Sequence, residues 1–183
     1  YCSGVMMAGG SISLKEVIPE QLEEPLILFQ RAGAVVKRER ERLFICMKDR
    51  PDPLKISTGP YPGFPTDMQS LFMAFLSIAK GESCITENVF EDRFGTAAEL
   101  VKMGADITCQ GKTAVIKGVP LLAGTKVRAL DLRGAAALVM AALGAEGSTI
   151  IEDCYHIKRG YEDICRDLRA LGGRADWMES DTG

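Results

Sequence analysis

The chain has 183 residues, 46% of them hydrophobic, and a formal net charge of −3. That balance suits a soluble globular domain and excludes bulk attraction to nucleic acid or to an anionic membrane surface. Six cysteines, at positions 2, 46, 84, 109, 154 and 165, form no CxxC pair and accompany a single histidine, which excludes an ordinary zinc site and predicts buried free thiols in a reducing cytoplasm.

The chain opens on an apolar helix, Tyr1 to Gly9, with no strand before it. A buried helix at the very start predicts a piece of a longer protein. Lys37 to Arg42 alternates in sign, the pattern of a solvated strand face. Residues 51–65 are proline-rich and form a rigid link too short for a domain boundary. Pro53 to Thr58 reads as a short strand, and Thr66 to Lys80 as an apolar helix stopped at Gly81. Glu82 to Asn88 alternates as a strand, and Thr96 to Met103 is an amphipathic helix ended by Gly104. Ala105 to Cys109 and Thr113 to Lys117 form a hairpin around Gln110-Gly111-Lys112. Lys126 to Met178 repeats this plan. No apolar run reaches membrane-spanning length.

These segments recur. Glycines 10, 81 and 147 follow one apolar helix in each unit, and glycines 33, 104 and 172 follow the next. Such a period marks repeated supersecondary units, here about 1–50, 51–119 and 120–183. Each reads strand, helix, strand, helix, strand, with a further strand in the first two and the opening strand of the first missing. The alternation predicts one α/β domain over 1–183, with sheets on one side and helices on the other.

Chemistry concentrates at helix starts. Three prolines lead into Thr66-Asp67-Met68-Gln69, where Thr66 and Gln69 fit a capping box. Asp67 in the first turn either complements the helix dipole or serves as a carboxylate able to take a proton from a sugar hydroxyl. Asp131 is an N-cap candidate, and Arg133 is either a surface charge or a group aimed at the same cleft as Asp67. Arg93 and Arg159 fall on related loops before the second helices of their units. Arginine forks near helix N-termini suit a phosphate or carboxylate ligand. His156 reads as a structural histidine. No Walker, GxSxG, HExxH or GxGxxG motif occurs.

Four strings, Phe64 to Gln69, Ile85 to Phe94, Ala129 to Arg133 and Tyr155 to Glu162, resemble the UDP-N-acetylglucosamine 1-carboxyvinyltransferase family. They stand in the family's order over nearly the whole chain. The resemblance implies an inverted α/β prism (enolpyruvyl transferase-like) and a second domain closing over a cleft. It implies transfer of the enolpyruvyl group of phosphoenolpyruvate to the 3′-hydroxyl of UDP-N-acetylglucosamine, with release of phosphate, as the first committed step of peptidoglycan synthesis. It also implies a cytoplasmic enzyme without metal or cofactor, whose partners are these two small molecules and the rest of the parent protein.

By the same resemblance, Asp67 matches the aspartate at the sugar hydroxyl and Val89 a backbone contact to the nucleotide sugar. Arg159 matches an arginine of the phosphoenolpyruvate site, and Arg93, Asp131 and Arg133 match charged residues lining the cleft. The family's reactive cysteine and its N-terminal Lys-Asn pair have no counterpart here, so the chain alone is expected to be inactive. Two other readings stay open: a non-catalytic domain that binds a nucleotide sugar or phosphate ligand, and 5-enolpyruvylshikimate-3-phosphate synthase.

Overall fold

The computed structural model describes residues 1–178. The first unit holds α1 (Cys2–Ala8), β1 (Gly10–Lys15), α2 (Glu23–Arg31), β2 (Val35–Glu39) and β3 (Arg42–Met47). The second holds β4 (Lys55–Ser57), α3 (Gln69–Leu76), β5 (Glu82–Thr86), α4 (Gly95–Lys102), β6 (Asp106–Gln110) and β7 (Thr113–Lys117). The third holds β8 (Lys126–Arg128), α5 (Leu132–Leu143), β9 (Ile150–Glu152), α6 (Tyr155–Gly160) and α7 (Ile164–Ala170).

Sheet order displays the repeat. The first sheet runs β1-β3-β2, the second β4-β5-β7-β6, and the third β8-β9. Strands β1, β5 and β9 are equivalent. β4 pairs parallel to β5 with Lys55 opposite Cys84, and β8 pairs parallel to β9 with Lys126 opposite Ile150. A helix crosses over within each parallel pair, α3 in one and α5 in the other. No strand follows α7 among the described residues, so the third unit lacks the closing strand expected of it there.

The helices lie at the centre, not on one side. α1, α3 and α5 pack on one another, and each also contacts strands of its own unit. Phe72, Met73, Ala74, Phe75 and Leu76 of α3 are fully buried, which is the composition of a helix apolar all round. Phe72 meets Phe29 of α2 at 4.8 Å, Phe64 at 4.7 Å and Phe75 at 4.7 Å between ring centroids, tying the first unit to the second. The outer sheet faces are wet: β2, with its alternating charges, is almost wholly exposed.

The helix stops correct part of the sequence reading. Gly33, Gly104 and Gly172 do end helices, with φ of 97°, 92° and 91°. In each case the next N–H reaches back to the third-last helical carbonyl: Ala34 to Phe29, Ala105 to Leu100, Gly173 to Leu168. That is the Schellman arrangement. Gly81 does not end α3. The helix stops at Leu76, where Ser77 donates its hydroxyl to Met73 O and tight turns at Ile78 and Ala79 follow. Gly9 rather than Gly10 caps α1, and Gly144 rather than Gly147 caps α5.

Thiol burial is corrected too. All six cysteines are free, but only Cys165 is buried; Cys109 is exposed and the others are half-buried. Cys46 and Cys84 alternate with buried Ile45 and Ile85, so strand periodicity turns them toward the outer face.

Arg50 joins units at the far end of α3. It donates from Nε to Ile78 O and from Nη2 to Ala79 O, both at 2.8 Å, and from Nη2 to Val119 O at 3.0 Å. One guanidinium thereby satisfies carbonyls left over where α3 stops.

Candidate active site at converging helix starts

The first turns of α3, α4 and α5 meet. Thr96 Oγ1 of α4 lies 3.5 Å from Ser70 Oγ of α3. Gly134 of α5 sits against the same hydroxyl, and a Cβ there would lie 2.6 Å from Thr96 Oγ1. Glycine therefore permits this close approach. The helix starts bring unpaired N–H groups and positive dipole ends to one place.

Asp67 stands on the single 3-10 turn Thr66–Met68 that precedes α3, with its side chain 56% exposed. Arg93 Nη2 donates to its Oδ1 at 3.1 Å. Arg133 Nε lies 2.6 Å from the same oxygen, though its N–H does not point along a hydrogen-bond direction, so the contact is an ion pair. Arg133 foremost, helped by Arg93, holds the Asp67 carboxyl below the ordinary aspartate range against the opposing effect of partial burial.

Asp131 is the N-cap of α5 and accepts from the backbone N–H of Arg133 at 2.8 Å and of Gly134 at 2.7 Å. It fixes the turn from which Arg133 projects. Arg159 is not on a loop. It lies in α6, where it shares with Leu132, Arg133 and His156 the wall of an open pocket of about 310 Å³. His156 is thus part of this wall, beyond the structural role expected of it. Five expected residues are linked here: Asp67 with Arg93 and Arg133, Asp131 beneath Arg133, and Arg159 across the pocket.

Val89 is exposed on the loop after β5 and is not part of the Asp67 ion pairs. Its N–H donates to Glu87 Oε1 at 2.8 Å, so the carbonyl is the backbone group it has to offer a ligand. The capping box is absent as well: Thr66 gives its hydroxyl to Glu87 Oε2 at 2.8 Å instead of to a helix amide.

Glu87 escaped the sequence reading. It is 1% exposed and accepts from Thr58 Oγ1 at 2.8 Å and Phe90 N at 3.1 Å besides Val89 and Thr66. The signal was strand alternation, which sets Glu87 on the inward face with Ser83 and Ile85. Burial works to raise its pKa, but the bonds from Val89, Thr58, Thr66 and Phe90 outweigh it and leave the carboxyl below the ordinary glutamate value. A lowered folded pKa stabilises fully above the unfolded value, about 4.3 for glutamate, and the contribution is lost as pH falls through the folded value. Asp67 carries the same sign. The urea midpoint should therefore fall on acidification below about pH 4.5, and a flat profile down to about pH 3 would contradict this.

Among the described residues, no cluster of His, Cys, Asp and Glu could hold a metal ion, and no helix is long and apolar enough to cross a membrane.

Comparison with known proteins agrees with this architecture. The family model described as EPSP synthase (3-phosphoshikimate 1-carboxyvinyltransferase) matches residues 1–168. A protein of Aeromonas hydrophila named UDP-N-acetylglucosamine 1-carboxyvinyltransferase is 44% identical over 177 residues, 96% of this chain and 42% of that protein. One of the same name from Desulfofundulus thermocisternus is 48% identical over 165 residues, 90% of this chain and 68% of that protein. The crystal structure of the enolpyruvyl transferase NikO from Streptomyces tendae superposes with a TM-score of 0.84 at 29% identity, over 94% of this chain and 41% of that one. EPSP synthase from Acinetobacter baumannii shares the fold, with a TM-score of 0.60 at 20% identity, over 82% of this chain and 37% of that one. The chain thus spans less than half the length of the Aeromonas relative.

Proposed function

The chain belongs to the EPSP synthase family of enolpyruvyl transferases, and from that premise we propose that it is one domain of a UDP-N-acetylglucosamine 1-carboxyvinyltransferase. The complete enzyme moves the enolpyruvyl group of phosphoenolpyruvate to the sugar 3′-hydroxyl and releases phosphate. The step commits material to peptidoglycan and belongs in the cytoplasm. A second domain supplies the rest of the site, including the group that protonates the methylene carbon as the sugar oxygen adds; that carbon loses a proton again as phosphate leaves, which restores the double bond.

One observation carries the reading: a carboxylate bracketed by two arginines, beside a pocket walled by a third. Phosphoenolpyruvate brings a carboxylate and a phosphate. Guanidinium forks match both, and fixed cations stabilise the charge that develops as the sugar oxygen adds and phosphate leaves. Arg133 and Arg159 hold the anion in this scheme. Asp67 faces the sugar hydroxyl and takes its proton.

With Arg133 and Arg93 against it, Asp67 is a weak base. Anion binding resolves this. Arg133, drawn to phosphoenolpyruvate, loosens its hold on Asp67 while Arg93 stays paired, and the basicity of Asp67 rises when the hydroxyl needs it.

Phosphate release by the full-length enzyme, dependent on UDP-N-acetylglucosamine and reduced about a hundredfold or more in Asp67→Asn and Arg159→Ala, is the expected result. Undiminished release in both variants would sink the two roles. Ligand binding without any release by the wild type would favour a non-catalytic domain, and release with shikimate 3-phosphate alone would point to the sibling synthase.

A further inference from the structure

Glu87 makes a connection that the proposed chemistry has not used. Three segments of the site hang on its carboxylate. Oε1 accepts from Thr58 at the end of β4 and from the backbone of Val89 and Phe90, and Oε2 accepts from Thr66. Thr58 Oγ1 in turn accepts from Asn88 N at 2.8 Å. Among the described residues no cation pairs with Glu87; its donors are two hydroxyls and two amides. A buried charge with that many fixed neutral donors is stable only while the donors keep their places.

The contacts close a ring. Thr66 immediately precedes Asp67. Asp67 pairs with Arg93, and the Arg93 guanidinium lies 4.7 Å from the centre of the Phe90 ring. The Phe90 amide returns to Glu87. Glu87 therefore sets the spacing between the turn that carries Asp67 and the loop that carries Arg93.

We infer that Glu87 is a positioning residue for enolpyruvyl transfer, holding Asp67 and Arg93 in register through Thr66 and Phe90. The inference rests on the proposed function. Leucine at 87 keeps roughly the size but removes both accepting oxygens, so the Thr66 turn and the Val89–Phe90 loop lose their common anchor. Displacement of a reacting group by about an ångström costs about a hundredfold in rate.

The test is a double-mutant cycle on kcat in the full-length enzyme, with Glu87→Leu and Arg93→Met. Glu87→Leu alone should lower kcat by about thirty- to a hundredfold. In the Arg93→Met background the same change should cost less than about threefold, because the pair it positions is already gone. A purely structural role predicts the same loss in both backgrounds. Glu99→Gln is the control. Glu99 is also buried but ties Lys102 and the Arg128 amide together, so it should lose stability and keep kcat within about twofold. Should Glu87→Leu not fold, Thr66→Val replaces it in the cycle and Thr66→Ser should restore kcat. Additive losses, or a kcat within about twofold of wild type, overturn the inference. Absence of wild-type turnover with both substrates instead overturns the function on which it rests.

Discussion

Arg133→Ala should lower the kcat of the full-length enzyme by about a hundred- to a thousandfold, the range seen when one preorganised charge-stabilising group is removed. Arg133 is the residue shared by both halves of the site. Its Nε lies 2.6 Å from Asp67 Oδ1, and its side chain walls the pocket with His156 and Arg159. The variant should fold normally, because Asp131 caps α5 through the backbone N–H of residue 133, which alanine retains. Arg133→Lys keeps the charge without the planar fork and should recover only a small part of the loss. A second readout separates this from general damage. Arg133 is the main reason that the Asp67 carboxyl lies low, so its titration, followed by carboxyl NMR, should move up toward the ordinary value in Arg133→Ala. Activity within about threefold of wild type would place the anion elsewhere.

The residues that defined the site in the sequence are those whose role follows from position on an element. Asp131 was legible because a carboxylate just before an apolar helix has a single local use, and it caps α5. Gly33, Gly104 and Gly172 were legible because a left-handed residue after a helix favours glycine, and all three have positive φ. Placing equivalent helix starts of two repeats together left Arg133 open between a surface charge and a group aimed at the cleft of Asp67, and the direct contact between the two was not legible. The misses have a common cause in tertiary structure. The apolar run through Ala79 outlasts α3 because burial under Arg50, not helical hydrogen bonding, demands it. Thr66 fits a capping box by spacing, but a buried carboxylate from another strand takes its hydroxyl. Arg159 lies in a short helix that no spacing announced. Glu87 is the instructive case: alternation placed it inward, and an inward charge requires donors, but which donors depends on how β4, β5 and the turn before α3 assemble.

The largest expected effect on stability lies at the opposite end of the same helix. Gly118→Ala should destabilise the protein by about 3 to 5 kcal/mol, from overpacking together with loss of hydrogen bonds to a charged group. The chain leaving β7 crosses the end of α3 at this point, and a Cβ on residue 118 would lie 1.9 Å from Ala79 O and 2.7 Å from Ala79 C. Both neighbours are backbone and cannot rotate away. Separation of the two segments would also pull on Val119, whose N–H donates to Ser77 O at 2.8 Å, and on the Arg50 guanidinium, which spans Ala79 O and Val119 O. Urea denaturation measures the loss. Gly59→Ala is the matched control, since its Cβ would meet nothing within 4 Å, and it should stay within about 0.5 kcal/mol of wild type. The losses from Gly118→Ala and Arg50→Met should be less than additive, because the overpacked crossing already breaks part of the arginine clamp. A cost for Gly118→Ala below about 1 kcal/mol would mean that the crossing yields easily, and that α3 is not held at its end by the packing of unit two against it.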